Sequence, residues 1–181
     1  MPFPDLTPET APPAARRALE AVTERLGYRP AAVARLAASP HALDGFLKIS
    51  AIFDACTLDP LSREVVIMTM ATRNDCHVCV AMHTAKLTSL DAEPALVAAL
   101  RDGTEAPLPD ERLESVRRFT LAVLASAGAV DDADLRDFLA YGYTEQNALE
   151  VVLGIGAYTL STLANRLTGA PVDEQLADFV G

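Results

Sequence analysis

The stretch Glu64–His83, EVVIMTMATRNDCHVCVAMH, decides how the rest of the chain is read. In its first half Val65, Val66, Ile67, Met68 and Met70 leave little polar face, so a helix here belongs at the centre of a helical body. Its second half concentrates rare chemistry. The chain has three cysteines and three histidines, and two of each fall between Asp75 and Thr84. Cys76 and Cys79 are three apart, His83 follows the second cysteine by four, and Glu64 precedes the first by twelve.

Working outward, Asp59-Pro60 offers a cap and a first-turn proline for the central helix, predicted to run to about Arg73. Asn74-Asp75 then breaks it, with Asp75 as the expected cap of a helix from Cys76 to about Leu87. Upstream, helices are expected at Pro13–Leu26, from Pro30 to about Ala38, and from Ser39-Pro40 to about Cys56, the last with Leu43, Phe46, Leu47 and Phe53 facing a core. Downstream, they are expected from Pro94 to near Gly103, over Asp110–Ala127 and Asp131–Tyr141, and over Thr144–Leu167, before a short C-terminal helix. DGTEAPLPD is the best loop candidate, and Gly154 and Gly156 inside the longest helix point to close helix packing.

Alanine and leucine dominate, tryptophan is absent, and no apolar–polar alternation marks a strand, so the expected fold class is all-α. At 181 residues the default is one domain spanning 1–181, with the proline-rich residues 1–12 as an extended N-terminal arm. A net charge of −10 disfavours nucleic-acid binding and attraction to anionic membranes. The N-terminus reads as neither a signal nor a transit peptide, so a cytoplasmic location is expected. Val151–Ala164 is too short to span a bilayer and reads as a buried helix.

A close cysteine pair in a reducing compartment points to redox chemistry or metal binding. Near a helix N-terminus both thiolates are stabilised by free N–H groups and the helix dipole. Spacing puts the two sulfurs on one face, with His83 one turn beyond Cys79, where its imidazole can take or return the thiol proton. Glu64 either orients that imidazole from the preceding helix or serves only its own helix's dipole. The zinc alternative lacks a second Cys-X-X-Cys and would have to recruit His83 with Glu64 or Cys56. His77 is expected to point outward, and Cys56 to be a buried small hydrophobe. No nucleotide-binding or hydrolase motif is present, and the helical setting excludes the thioredoxin pattern.

The Glu, Cys-X-X-Cys and His spacing resembles that of the AhpD-like alkylhydroperoxidases of the carboxymuconolactone decarboxylase superfamily. Leu61-Ser62-Arg63-Glu64, Arg29-Pro30 and Asn165-Arg166-Leu167-Thr168-Gly169 extend the likeness over roughly residues 30–173. One departure is Val78, where many relatives carry an aromatic residue. The resemblance implies an AhpD-like multihelical, oligomeric fold, as trimers or hexamers, with peroxide reduced at the cysteines. It further implies Cys79 as the attacking sulfur, Cys76 as the resolving one that closes a disulfide, and Glu64 with His83 as a proton relay. No cofactor or metal is implied. Partners would be an organic hydroperoxide or hydrogen peroxide and a dithiol reductant such as a lipoyl-bearing protein. The alternatives are a general disulfide oxidoreductase, or a metal-binding or redox-sensing oligomer, with little peroxidase activity.

Overall fold

Prolines and short polar side chains start most of the helices. Asp59 accepts the Ser62 N–H at 3.0 Å, with Pro60 following it, and Ser39 accepts that of Ala42 at 3.3 Å ahead of Pro40. Asp110 and Asp131 cap two more, and Thr144 with Asn147 forms a reciprocal capping box. The computed structural model describes residues 3–180. Along it run α1 (Pro13–Leu26), α2 (Ala31–Leu36), α3 (Pro40–Asp54), α4 (Pro60–Arg73), α5 (His77–Ser89), α6 (Pro94–Asp102), α7 (Glu111–Ala125), α8 (Asp132–Ala140) and α9 (Glu145–Thr168), followed by a 3-10 helix, Glu174–Phe179. Among the described residues there is no strand, as the composition led us to expect.

Helix α4 is the centre. Every residue from Glu64 to Ala71 is buried, because α5, α7, α6 and α9 pack around it. Helix α9 approaches it closely at Gly154. A Cβ at that position would lie 2.6 Å from the Phe53 ring and 3.0 Å from Val66 Cγ1, so only hydrogen fits. Gly156 faces open space, so the predicted glycine packing holds for one of the two. Helix α9 meets the length and composition of a membrane span, with a mean hydropathy of 1.2 in its most apolar window. The expectation that it is too short considered only its apolar middle. Its buried face carries Asn147, Glu150, Ser161 and Asn165, a polar lining suited to a core helix packed on α3 and α4. Its outer face leaves Leu149, Val152, Leu163 and Leu167 exposed.

Several boundaries shift. Helix α2 is shorter than predicted, and the expected short C-terminal helix is a 3-10 helix. Cys56 is half-buried against the main core rather than fully enclosed, and burial pushes its thiol pKa up. Of the predicted α3 stripe, Leu43 and Phe53 are buried while Phe46 and Leu47 are intermediate. The N-terminal arm is not simply extended: Ala11 N–H closes a turn on Thr7 O at 2.8 Å, and Ala11 packs with Leu19 and Val22 of α1. Met1 and Pro2 of that arm lie outside the described residues.

Candidate active site

The turn between α4 and α5 places the cysteines. Asn74 ends α4 and donates to Thr162 Oγ1 at 2.8 Å. Asp75 adopts φ 51°, a left-handed conformation that Asp tolerates better than most residues. The Cys76 N–H then returns to Ala71 O at 2.9 Å. This moves the helix start by one residue from the prediction: Cys76 itself is the cap residue of α5, and Asp75 is not. The Asp75 carboxylate is taken by Arg166 of α9, whose guanidinium also donates to Asp75 O at 2.6 Å.

Both thiols are buried, Cys76 to 2 % exposure and Cys79 to 4 %, and neither is in a disulfide. Their sulfurs are 3.0 Å apart, so one S–H lies between them. Two thiols this close do not both ionise readily. With the Cys79 S–H donated to it, the Cys76 thiol is drawn well down against the cost of burial, aided by the Asn165 amide and the Arg166 charge. Cys79 is pushed up, first by its hydrogen bond with Cys76, in which it keeps the proton, and then by burial. Of the two, Cys76 is therefore the sulfur that ionises more easily, whereas spacing had favoured Cys79 as the sulfur beside a base. The contact itself fits a proton on either sulfur; the Arg166 charge and the opening of the site at Cys76 favour ionisation there.

Glu64 reaches the imidazole. Its Oε2 lies 2.7 Å from His83 Nδ1, with side-chain exposures of only 8 % and 13 %. Of the two roles open to Glu64 in the sequence, the geometry is that of the imidazole partner, fixing the ring orientation from α4. Among the described residues, no hydrogen bond joins His83 to either sulfur. The Tyr158 ring packs edge-on against His83, with centroids 5.4 Å apart, and burial pushes its phenol pKa up. His77 points outward as predicted, 3.6 Å from the Asp75 carboxylate.

Sequence reasoning missed a third contributor, α9. Asn165 Nδ2 lies 3.3 Å from Cys79 Sγ and 3.8 Å from Cys76 Sγ, and Ser161 Oγ lies 3.9 Å from Cys79 Sγ. Tyr158, Ser161 and Asn165 recur at helical spacing on the buried face. Polar groups on the core side of an otherwise apolar helix were the available signal. A cavity of about 270 Å³ opens at Cys76, bordered by Asp75, His77, Asn165, Arg166 and Ala170. A larger hollow of about 790 Å³, beside Arg73, Val80 and Arg117, borders neither cysteine. Among the described residues, no three His, Cys, Asp or Glu side chains converge as metal ligands would.

This arrangement of helices recurs in solved structures. An uncharacterized peroxidase-related protein from Ralstonia eutropha JMP134, described as an alkylhydroperoxidase AhpD core, matches with a TM-score of 0.81 over 96% of this chain and 93% of that one. The chain has the AhpD-like fold. Sequence identity to that protein is 20%. A second neighbour, an uncharacterized peroxidase-related protein from Silicibacter sp. TM1040, matches with a TM-score of 0.80 at 20% identity, over 97% of this chain and 92% of that one. The same fold carries the debrominase Bmp8, with a TM-score of 0.73 and 15% identity over 92% and 90% of the two chains. No protein-family model matches the sequence, and a search of curated proteins finds no match. The AhpD-like fold thus rests on shape, and the chemistry on the residues.

Proposed function

We propose that the chain is a thiol-dependent peroxidase that reduces organic hydroperoxides or hydrogen peroxide through a Cys76–Cys79 disulfide. The observation that carries it is a buried dithiol, sulfurs 3.0 Å apart, in a helix that also presents an imidazole held by a buried carboxylate at 2.7 Å. The peroxidase-related names of two neighbours of like fold support the same chemistry. His83, oriented by Glu64, takes the Cys79 proton. The resulting thiolate attacks the peroxide, an S–O bond forms as O–O breaks, and the leaving alkoxide takes the proton back from His83. The Cys76 thiolate then attacks the sulfenic sulfur, forming S–S and expelling hydroxide, which takes a proton from solvent and leaves as water. Closing the pair to a disulfide length of ~2.05 Å requires roughly 1 Å of sulfur movement. A dithiol donor, with a lipoyl-bearing protein as the expected candidate, returns the two electrons. A cytoplasmic location, where such donors stay reduced, belongs to the same proposal.

One equivalent of cumene hydroperoxide is expected to remove two hydrogens from the wild-type mass and to leave a sulfenic acid or its trapped adduct in Cys76→Ser. Peroxide consumption unchanged in Cys79→Ser would sink the assignment of the attacking sulfur.

A second function is favoured by one observation, the opening of the 270 Å³ cavity at Cys76, the thiol of the pair that is drawn below its ordinary value. That placement suits attack on a partner's disulfide, the work of a general disulfide oxidoreductase. Insulin-disulfide turnover exceeding peroxide turnover would decide for it. We also propose a homo-oligomer, a trimer or hexamer, assembled on the exposed apolar face of α9. Light scattering on the sized protein is expected to give a mass several times 19.3 kDa, and a monomer at micromolar concentration would refute it.

A further inference from the structure

The two sulfurs share a side chain that comes from neither α4 nor α5. The Asn165 amide nitrogen sits within reach of both, and it carries two N–H bonds, enough to direct one at each sulfur. Asn165 is buried, so bulk water does not replace it. Its neighbour Arg166 pins the left-handed Asp75 immediately before Cys76. One turn of α9 thereby grips both the thiols and the turn that presents them.

We infer that Asn165 is a thiolate-stabilising donor that biases the cysteine pair toward its reduced, ionised form. The inference rests on the redox function proposed for these cysteines. An N–H donates about twice as strongly to a charged acceptor as to a neutral one. A thiolate is such an acceptor; a thiol or disulfide sulfur is a weak one. The bond is thus worth most in the reduced pair and least in the disulfide, which makes the disulfide more oxidising, since stabilising the reduced form raises the potential. Of the charged or titratable groups around the pair, Arg166 aids Cys76 through its charge while its guanidinium hydrogen bonds go to Asp75, so it makes no hydrogen bond to sulfur that would duplicate the amide's. His77 points outward, Glu64 is occupied with His83, and the Tyr158 ring packs on that imidazole.

The test uses the full chain and no peroxide. Thiolate ultraviolet absorbance is titrated against pH, and the dithiol–disulfide equilibrium is measured against dithiothreitol, in wild type, Asn165→Ala, Asn165→Asp and Asn165→Ser. Asn165→Ala is expected to raise the lower thiol ionisation by about one pH unit and to shift the equilibrium about tenfold toward the disulfide, roughly 30 mV. Asn165→Asp, of equal size but with a carboxylate against the sulfurs, is expected to raise the ionisation further. Asn165→Ser, which keeps a donor, should fall between wild type and alanine. If the alanine variant fails to fold, the order of serine below aspartate carries the same prediction. Ionisation and equilibrium unchanged in alanine, or aspartate no higher than serine, would overturn the inference. A normal thiol response to position 165 in a protein that turns over no peroxide would refute the peroxidase alone.

Discussion

Glu64→Gln is expected to slow peroxide reduction about 100-fold at neutral pH while leaving the protein folded. General base assistance is typically worth 10²- to 10⁴-fold, and the substitution keeps the shape of the carboxylate while removing the charge that supports a protonated imidazole. The Cys79 thiol is held above the ordinary cysteine value, so without the relay its thiolate becomes scarce. The deficit should therefore narrow as pH rises and solvent takes over deprotonation. The fold should be retained, because the glutamine amide oxygen can still accept the His83 N–H. Stopped-flow peroxide kinetics across pH, beside a thermal melt, measure both. A rate within threefold of wild type at neutral pH would remove Glu64 from the mechanism.

The second large effect lies away from the sulfurs. Glu150 of α9 is buried, and its carboxylate accepts the Thr57 N–H at 3.0 Å, the Leu58 N–H at 3.1 Å, the Thr57 hydroxyl at 2.8 Å, the Gln146 amide at 2.9 Å and the Asn147 amide at 3.0 Å. These bonds tie the loop between α3 and α4 to α9. Glu150→Ala strands those donors, at a cost of about 3 kcal/mol. For a chain of this length that lowers Tm by roughly 6–12 °C. Burial alone would raise the Glu150 pKa; the Thr57 N–H, then the Thr57 hydroxyl and the Asn147 and Gln146 amides outweigh it and bring the value down to about 2. A carboxyl depressed in the folded state stabilises above its unfolded value, near ~4.3, and that contribution is lost as pH falls toward about 2. The gap in Tm between wild type and Glu150→Ala should therefore shrink on acidification through that window. A constant gap would show that the carboxylate charge is not what the loop depends on.

Most of the helix plan was legible because its signals are local. Asp59-Pro60 and Ser39-Pro40 specify their helix starts with residues next to one another, and the all-round apolar character of Val65–Met70 already says that α4 is enclosed. The pairing of Glu64 with His83 was half-legible: spacing placed His83 on the cysteine face, but only packing of α4 on α5 brings the carboxylate to it. Asp75 misled because an aspartate before a helix is the usual cap, and what draws its carboxylate away is Arg166, 91 positions later. Asn165 was invisible as a thiol ligand for the same reason. Its partners lie 86 and 89 residues away, and nothing in an asparagine near the end of a helix announces a sulfur.

The missing side chain at Gly154 acts as a gauge. The Phe53 ring of α3 and Val66 of α4 occupy the space a methyl group would need, so α9 packs against both helices with only a hydrogen atom between. Glu64 stands on α4, and Tyr158, Ser161 and Asn165 on α9. A side chain there would push α9 outward and carry the sulfur donors away from the carboxylate, so the spacing of the two sides of the site depends on a residue that touches neither cysteine.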